Sequence, residues 1–411
     1  MIQLFIFNEV SRAAVYGIGT YIQQLLACLD DSFQVNIVNY FSNKPEFTVI
    51  ESTVAIREIY IPCNQLKYVE GKCDETYFLN SIYLLADFIN PDAKLIFHFN
   101  QFRYEAMIKQ LKANWPESKI ILSVHYLSWC FNLNGNTGYF RDIIRKKTKE
   151  LVTKIEKDTL MTYKTDIAFL QEVDHIICLA KYAKDILQLE YKVPSNKLSL
   201  IYNGLKDEGK FLSIEEKSIV RKQLHLNPNE KIVLFVGRLD DIKGVDFLIQ
   251  VFKKMLQERI DCRLIIIGDG EYTKCLEECK NDWERIIFTG KLSKDELYQF
   301  YQIADIGVML SKHEQCSFVA IEMMMHGLPI IASNSTGLDE MVINGQNGYK
   351  IKTIENKEEV SFDIEQCYQL LSQVLNNKDI QEMRNRCRTQ YETIYSLKEM
   401  EGKMQELYNT I

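Results

Sequence analysis

Residues 311–334, SKHEQCSFVAIEMMMHGLPIIASN, combine a polar loop, a short helical segment and an apolar strand. Gly327 and Pro329 predict the end of the helix, because glycine tolerates a left-handed cap and proline cannot continue a helix. The apolar run at 330–332 then predicts a buried strand. This succession of loop, helix and strand is one unit of a β-α pattern.

Two glutamates stand out in this stretch. Glu314 and Glu322 are separated by seven residues, so that Glu314 falls in the loop and Glu322 about two helical turns further on. The free N–H groups and the positive dipole end at a helix start favour an anion or a hydroxyl-rich ligand nearby. The same spacing is typical of an ordinary N-terminal carboxylate and a solvated helix residue, so both interpretations stay open.

The β-α pattern extends upstream. Apolar segments at 232–236, 264–267, 286–289 and 306–310 each end in a glycine-bearing or polar loop, with helical patterns between most of them. They predict a parallel, doubly wound sheet. A similar series begins at residues 2–7, and a polar stretch at 205–217 predicts a linker between the two series. We therefore expect an α/β protein with two Rossmann-like domains facing a cleft.

Composition narrows the function classes. The chain has 411 residues and a net charge of −7, which favours two domains and argues against nucleic acid as the main partner. It opens without a basic segment, and no apolar run approaches the roughly 18 residues of a membrane span, so a cytoplasmic protein without a secretory signal is expected. Several of its 11 cysteines lie in apolar runs, as buried thiols do in a reducing compartment.

Two cations suggest what the second series binds. Arg238 and Lys243 flank a short loop after a predicted strand. Such a pair can hold a diphosphate, through the guanidinium fork and the ammonium point charge, although cation pairs are also common on surfaces. Arg238, Lys243, Gly290 and Glu314 all follow strands of one predicted sheet, which favours a shared ligand. The set suits a nucleotide sugar, and since no Asp-x-Asp motif occurs, the cations are expected to replace a metal.

The first series also carries candidate ligand groups. Residues 16–19, Tyr-Gly-Ile-Gly, lie between a predicted strand and a helix, whose start could receive a phosphate. This is a weak signal, because the third glycine of a dinucleotide fingerprint is missing. His98 and His125 each fall near the end of a predicted strand, where ligands gather in open α/β sheets. A hydrogen-bonded structural role is equally open for each histidine.

A basic segment follows these strands. Residues 126–139 predict a long loop. Residues 141–157 contain seven Lys or Arg against three acidic residues, with apolar positions at helical spacing, and predict a basic amphipathic helix. That helix is either an ordinary solvated surface or a peripheral contact with anionic lipid head groups or an acidic acceptor.

Four segments resemble the successive motifs of retaining glycosyltransferase family 4, namely GRLDDIKGVDFLI, LIIIGDGEY, IIFTGKL and HEQCSFVAIEMMMHGLPII. The resemblance is strong across 231–350 and weaker but continuous over the N-terminal half. It implies the GT-B fold, with an acceptor-side domain at 1–205, a nucleotide-sugar-binding domain at 206–390 and a C-terminal helix at 391–411 that packs back on the first domain.

The resemblance also implies an activity. It indicates a metal-independent retaining enzyme that moves a sugar from a UDP- or GDP-linked donor to a hydroxyl acceptor, with no further cofactor. The acceptor, the linkage and the oligomeric state are left open. Two alternatives also remain: a GT-B nucleotide-sugar epimerase or hydrolase, which would turn over donor without acceptor, and a non-catalytic sugar- or nucleotide-binding protein.

By the same resemblance, the catalytic residues are Glu314, His125, Arg238 and Lys243. The cations would hold the donor diphosphate, Glu314 the transferred sugar and Glu322 the ribose, with His125 beside the reacting sugar. The remaining donor-binding candidates are Gly17, Gly237, Gly290, Leu292, Cys316, Ser317, Phe318 and Val319. The acceptor-side candidates are Tyr16, His98, Arg103, His125 and Tyr126.

Two departures from the family pattern bear on specificity. Most members carry Gly-Phe-Gly after the first glutamate, whereas this chain has Gln315, Cys316 and Ser317. Glycine permits close backbone approach to the sugar, so its absence leaves the donor sugar open, and Gln315 could fill part of the pocket. Tyr16 stands where a first glycine is common, which leaves the acceptor geometry open as well.

Overall fold

The computed structural model describes residues 1–10, 17–63, 75–102, 104–357, 359–377 and 380–411. The chain divides into two compact units. The first comprises Met1–Trp129, Ile143–Tyr202 and Met400–Ile411, and the second comprises Cys130–Asp142 and Asn203–Glu399. The domain boundaries predicted from the sequence lie at 205/206 and 390/391, whereas the units divide at 202/203 and 399/400, and residues 130–142 group with the second unit.

An eight-stranded sheet forms the centre of the first unit. Its strands are β1 (Ile2–Glu9), β2 (Phe33–Ser42), β3 (Thr48–Glu51), β4 (Ile56–Pro62), β5 (Lys94–Phe99), β6 (Lys119–Val124), β7 (His175–Cys178) and β8 (Leu198–Leu200). They lie in the order β3-β4-β2-β1-β5-β6-β7-β8. The pairs are parallel except for β3 with β4. Every residue of the central strand β1 is buried, as expected when helices cover both faces of a parallel sheet.

A six-stranded parallel sheet forms the centre of the second unit. Its strands are β9 (Lys231–Val236), β10 (Cys262–Ile267), β11 (Ile286–Gly290), β12 (Ile306–Met309), β13 (Ile330–Ser333) and β14 (Gly348–Ile351), and a separate antiparallel hairpin contains β15 (Thr353–Glu355) and β16 (Val360–Phe362). The order is β11-β10-β9-β12-β13-β14. The order reverses between β9 and β12, and such a switch point is where open α/β sheets bind ligands at their carboxyl edge.

Helices connect most of these strands. In chain order the described α-helices are α1 (Gly17–Ala27), α2 (Glu75–Ala86), α3 (Glu105–Asn114), α4 (Trp129–Asn132), α5 (Thr137–Arg145), α6 (Lys154–Glu172), α7 (Lys181–Leu189), α8 (Ile214–Gln223), α9 (Val245–Gln257), α10 (Tyr272–Cys279), α11 (Lys294–Ile303), α12 (Phe318–Met325), α13 (Leu338–Met341), α14 (Ile364–Leu375), α15 (Ile380–Gln390) and α16 (Leu397–Thr410). Short 3₁₀ helices occupy Thr148–Glu150, Ser195–Lys197 and Lys280–Arg285, and a π-helical turn occupies Tyr391–Tyr395.

The apolar core of the second unit lies between its sheet and helices α9 and α14. Phe252 of α9 and Leu371 of α14 are fully buried against Val233 and Ile266 of the sheet. The buried residues of α9 recur at helical spacing, so they form one apolar face that packs against the sheet. On this core, β9 and β12 pair in parallel, with Ile306 opposite Val233 and Gly307 opposite Leu234.

The C-terminal helix α16 ends on the first sheet. Its residues from Met400 onward belong to the first unit. The Tyr408 hydroxyl lies 2.6 Å from Nδ1 of His98, and Lys94 Nζ donates to the Tyr408 carbonyl at 3.0 Å. The chain that forms the second unit therefore returns to the first at its end, as the predicted fold class requires.

Two predicted elements were wrong. The loop predicted at 126–139 contains α4 and the start of α5, and the basic helix predicted at 141–157 is broken. The break has a local cause: the Thr153 side chain accepts from Glu156 N at 3.1 Å, and Glu156 Oε2 accepts from Thr153 N at 3.0 Å. This capping box starts a new helix, α6, and ends the old pattern. Among the described residues, no helix has the length and apolar character needed to cross a bilayer.

Candidate functional site

Glycine backbone joins the carboxyl ends of three strands in the second unit. Gly237 N donates to Ile267 O at 3.0 Å, and Gly268 N donates to Gly290 O at 3.0 Å. Gly268 has φ +144°, and a Cβ on it would lie 1.8 Å from the Gly237 carbonyl oxygen. The predicted site residues Gly237 and Gly290 therefore lie on either side of Gly268 at the carboxyl edge of the sheet. Gly268 was not among the predicted site residues, although it begins a Gly-Asp-Gly sequence.

The two predicted cations follow β9 in a turn organised by Asp240. Arg238 Nη2 lies 3.0 Å from Asp240 Oδ2, and Lys243 N donates to Asp240 Oδ1 at 3.1 Å. Arg238 is partly exposed, and its other guanidinium N–H groups have no partner within the described parts of the chain. One aspartate thus fixes the turn and orients Arg238, which leaves a fork of donors available to an anion.

A close backbone approach brings Lys243 to the loop that follows β12. Gly244 has φ +64°, and a Cβ there would lie 2.2 Å from the Leu310 carbonyl oxygen. Lys312 N donates to Ile242 O at 2.7 Å beside it. With the two loops in contact, Lys243 Nζ forms an ion pair with Glu314 Oε1. The sequence predicted both residues but not the glycine that brings them together.

Glu314 is held by its backbone as well as by its side chain. Its N–H donates to Thr336 Oγ1 at 2.9 Å, and its carbonyl accepts from Gly337 N at 2.9 Å. Ser311 Oγ donates to Glu314 Oε1 at 3.1 Å, the same oxygen that meets Lys243. No described residue bonds to the second carboxylate oxygen, Oε2, so Glu314 retains one acceptor for a ligand.

Glu322 lies on α12 in different surroundings. Its Oε2 accepts from the Tyr301 hydroxyl at 2.7 Å. Burial raises the pKa of Glu322 to about 7, and the Tyr301 hydrogen bond opposes that shift only in part. Burial together with the Glu322 carboxylate raises the pKa of Tyr301 well above its usual value. The two glutamates therefore differ chemically: Glu314 forms an ion pair with a lysine, whereas Glu322 is half-buried and, among the described residues, forms no ion pair.

The other donor-side candidates surround the start of α12 and the end of β11. Ser317 caps α12, with its side chain accepting from Ala320 N at 3.5 Å. The Cys316 thiol is buried, and its carbonyl accepts from Asn203 Nδ2 at 2.7 Å. Phe318 and Val319 in the first turn of α12 are half-buried, as is Leu292 beyond β11. These residues line the same edge of the second sheet as the cations.

His125 lies at the end of β6 in the first unit. Its Nε2 is 2.8 Å from Asn100 Oδ1, and Asn100 Nδ2 donates to Phe7 O at 3.0 Å. Since the Asn100 oxygen is the acceptor, His125 donates through Nε2 and keeps Nδ1 as an acceptor. Burial lowers the pKa of His125 to about 3, so the ring is neutral. Asn100, which orients it, was missed because it directly follows β5 without any motif.

His98 does not fit its predicted acceptor-side role. It is 0% exposed. Nδ1 meets the Tyr408 hydroxyl at 2.6 Å and Nε2 meets Ser123 Oγ at 2.7 Å. Burial lowers the pKa of His98 to about 3. Both ring nitrogens are used inside the first unit, so His98 is a structural link to the C-terminal helix.

Four first-unit candidates remain. Gly17 is exposed at the start of α1, and Tyr126 is half-buried after β6. Tyr16 and Arg103 lie outside the described residues. Across the described ranges, no group of three or more His, Cys, Asp or Glu side chains could hold a metal ion.

Comparison with known structures defines the fold. Sucrose-phosphate synthase from Thermosynechococcus elongatus superimposes with a TM-score of 0.75 at 18% identity, covering 100% of this chain and 98% of that one. Anabaena HepE in complex with UDP gives a TM-score of 0.71 at 13% identity, covering 100% of both chains. At these identities the likeness concerns the fold alone. The predicted GT-B fold is confirmed.

Sequence comparison then points to a family. Residues 216–390 match the family model of the glycosyl transferases group 1. An uncharacterized glycosyltransferase of Methanocaldococcus jannaschii is 34% identical over 42% of this chain and 45% of its own length. The lipopolysaccharide 1,2-N-acetylglucosaminetransferase of Salmonella typhimurium is 28% identical over 43% of this chain and 48% of its own. These alignments span less than half the length of either relative, and the family model confirms the similarity to glycosyltransferases for residues 216–390.

Proposed function

We propose that the protein is a retaining glycosyltransferase that moves a sugar from a nucleotide sugar to a hydroxyl group of an acceptor. The observation that carries the proposal is the contact of Lys243 with Glu314 at the switch point of the second sheet. A cation for a phosphate and a carboxylate for sugar hydroxyls are adjacent there, as they must be for a ligand in which the sugar is bonded to the phosphate. The family match over residues 216–390 supports the same activity.

The donor contacts follow from the groups that remain available. Arg238 and Lys243 bind the diphosphate and stabilise its charge as the bond to the sugar breaks, so that no metal ion is needed. Glu314 accepts a hydrogen bond from the sugar through Oε2. Glu322 uses Oε1, to which no described residue bonds, for the ribose hydroxyls. Backbone at Gly290 binds the nucleobase.

The nucleotide is proposed to be UDP or GDP. HepE, whose fold this chain shares, was crystallised in complex with UDP and with UDP-glucose, which supports UDP as the first nucleotide to test. The loop beyond β11, at Gly290 and Leu292, would meet the base through backbone atoms. Contacts from Gly237 and from Cys316 to Val319 would complete the donor site.

In the proposed reaction, the bond from the sugar's anomeric carbon to the phosphate oxygen breaks while a bond to the acceptor oxygen forms on the same face. The acceptor proton passes to the departing phosphate, so no side chain has to act as the base. Neutral His125, with Nδ1 as an acceptor, would lie beside the reacting sugar. Gly17 would contribute to the donor site, and Tyr16, Arg103 and Tyr126 would face the acceptor.

The proposal is tested by incubating the protein with UDP-glucose, UDP-galactose, UDP-N-acetylglucosamine and GDP-mannose, with and without candidate hydroxyl acceptors. Release of nucleoside diphosphate that depends on an acceptor, with the anomeric configuration retained in the product, is expected for one donor. Turnover of donor without any acceptor would instead favour the epimerase or hydrolase alternative. Binding without turnover of any donor would favour a non-catalytic protein.

We further propose a peripheral contact of the first unit with anionic lipid at the inner face of the membrane. The surface concerned, here called the basic surface, contains four exposed lysines and two exposed apolar residues: Lys147, Lys149, Lys154, Lys157, Val152 and Ile155. Val152 is 83% exposed. Apolar side chains amid lysines suit the interface between head groups and acyl chains.

Co-sedimentation with phosphatidylcholine vesicles, with and without phosphatidylglycerol, tests this contact. Binding only to the anionic vesicles, reduced by Val152→Ser and by Lys154→Glu, is expected. Lys274→Glu, in the second unit, is the matched control and should bind as the wild type does. Equal recovery with both vesicle types would contradict the proposal and leave a solvated surface.

A further inference from the structure

We infer that the side-chain amide of Gln315 hydrogen-bonds hydroxyl groups of the transferred sugar and thereby selects which sugar is accepted. This inference rests on the proposed function and names a specificity residue for it. Gln315 directly follows Glu314 in the loop between β12 and α12, at the carboxyl edge of the second sheet. It is the next residue in sequence after the carboxylate proposed to contact the same sugar.

The Gln315 amide is buried without a hydrogen-bond partner. Only 5% of the residue is exposed, and neither Nε2 nor Oε1 bonds to any group in the described parts of the chain. The amide offers two donors and two acceptor lone pairs. Buried polar groups are almost always satisfied, and each exception needs an explanation, such as a bound water, ion or ligand.

Close contacts fix the backbone on both sides of Gln315, so the loop does not move to bring the buried amide to a hydrogen-bond partner. On one side, Gly337 packs so closely that a Cβ on it would lie 1.6 Å from the Gln315 carbonyl oxygen. Gly337 N also donates to Glu314 O at 2.9 Å. On the other side, the Cys316 carbonyl accepts from Asn203 Nδ2 at 2.7 Å. The fixed backbone of the loop therefore leaves the Gln315 amide without a hydrogen-bond partner among the described residues.

A second buried amide borders the same loop. Asn203 is 3% exposed, and while its Nδ2 binds Cys316, its Oδ1 has no partner among the described residues. The two amides therefore leave three groups without a hydrogen-bond partner among the described residues: the N–H₂ group of Gln315 and the carbonyl oxygens of Gln315 and Asn203. Phosphate oxygens accept hydrogen bonds but do not donate them, so a diphosphate could satisfy the nitrogen only. Sugar hydroxyls both donate and accept, so they can bond to the N–H₂ group and to both carbonyl oxygens.

Calorimetry with UDP, GDP and the four nucleotide sugars named above tests the inference on the full chain. Gln315→Met keeps the length and volume of the side chain and removes both polar atoms. We expect its affinity for the nucleoside diphosphate to stay within about twofold of the wild type, since the diphosphate contacts remain. The ratio of the affinity for the nucleotide sugar to the affinity for the nucleoside diphosphate should fall by about tenfold or more. Gln315→Glu, which keeps acceptor oxygens only, should change the order of preference among the sugars.

Gln369→Met is the matched control, because Gln369 is an exposed residue of α14 in the same unit. It should leave all affinities unchanged. If the wild type binds nucleotide sugars and Gln315→Met keeps the wild-type ratio of these two affinities, the inference is overturned and the proposed function stands. Equal losses for nucleoside diphosphate and nucleotide sugar, or a lowered Tm in both Gln315 variants, would also overturn it in favour of a structural role. A wild type that binds none of the donors overturns the proposed function and this inference together.

Discussion

Lys243 forms an ion pair with Glu314, and the two residues come from loops that follow the adjacent strands β9 and β12. The ion pair is made by only one carboxylate oxygen, which also accepts from Ser311 Oγ at 3.1 Å. Both side chains keep some exposure. A positive and a negative group therefore stand side by side at the switch point, each with bonding capacity left for a ligand.

The two glutamates should affect different ligands. Glu322→Gln should weaken nucleoside diphosphate and nucleotide sugar alike, because the ribose is common to both. Glu314→Gln should leave nucleoside diphosphate binding nearly intact and lower kcat, because a contact that strengthens as the sugar becomes cationic acts on the transition state. Calorimetry with UDP beside steady-state kinetics separates the two effects. If Glu314→Gln loses UDP as badly as Glu322→Gln does, the two carboxylates have one shared structural role.

The raised pKa of Glu322 predicts how stability depends on pH. Burial raises this pKa from 4.5 to about 7, so between these values the folded protein holds a proton that the unfolded chain has lost. The free energy of unfolding therefore falls as the pH rises through this window. Glu322→Gln stays neutral and escapes the penalty, so its stability relative to the wild type should rise from pH 5 to pH 8 by at most about 3 kcal/mol.

Urea unfolding of both proteins across this pH range measures the difference. Asp166 is a second carboxyl whose pKa burial raises to about 7, but it is present in both proteins and cancels in the comparison. Unfolding free energies that run parallel from pH 5 to pH 8 would show that Glu322 is already ionised in the folded state.

Gly244 should be indispensable to the site. Alanine at φ +64°, with its Cβ 2.2 Å from the Leu310 carbonyl oxygen, forces the Lys243 turn away from the loop after β12. We expect Gly244→Ala to lower stability by about 1–3 kcal/mol and to weaken UDP binding. Gly402→Ala is the control, since nothing lies within 4 Å of a Cβ there in α16, and it should raise stability by about 0.5–1 kcal/mol. Similar Tm values for the two variants would contradict the predicted contact.

Transfer should not need a divalent cation. Arg238 and Lys243 supply the positive charge that the leaving diphosphate requires, so activity is expected to survive dialysis against excess EDTA. Added Mg²⁺ or Mn²⁺ should change the rate little. Activity lost to EDTA and restored by either ion would indicate carboxylate ligands for a metal that the sequence and the structure did not reveal.

The alternating strands and helices of the second unit could be predicted from the sequence, because residues near each end of these elements mark where they stop. Apolar strands ending in glycine, and the stop at Gly327, which has φ +61°, can be recognised within a few residues of sequence. Arg238, Lys243 and Glu314 were also predicted this way, since each follows a strand of one parallel sheet. Strand β14 and the β15–β16 hairpin were missed, because short half-buried strands carry little periodicity.

Contacts between distant segments were not predictable. Thr336 fixes the Glu314 backbone, and Tyr301 binds Glu322, yet no spacing in the sequence connects these pairs. The side on which a strand residue packs is equally hidden: His98 lies between the sheet and α16 because Tyr408 covers it. The break before α6 did have a local signal, the Thr-x-x-Glu capping box at 153–156, which the basic amphipathic pattern obscured.

Titration of UDP into the wild type, Arg238→Ala and Lys243→Ala tests most directly whether this site binds a nucleoside diphosphate. Loss of one charge-assisted contact should cost about 1.5–3 kcal/mol, or roughly 10- to 150-fold in Kd. Lys274→Ala is the control, because Lys274 forms an exposed ion pair with Asp241 near the same turn and should bind UDP as the wild type does. If the same measurement with GDP and UDP finds wild-type affinity in both Arg238→Ala and Lys243→Ala, the diphosphate is not bound at the switch point and the proposed donor site is wrong.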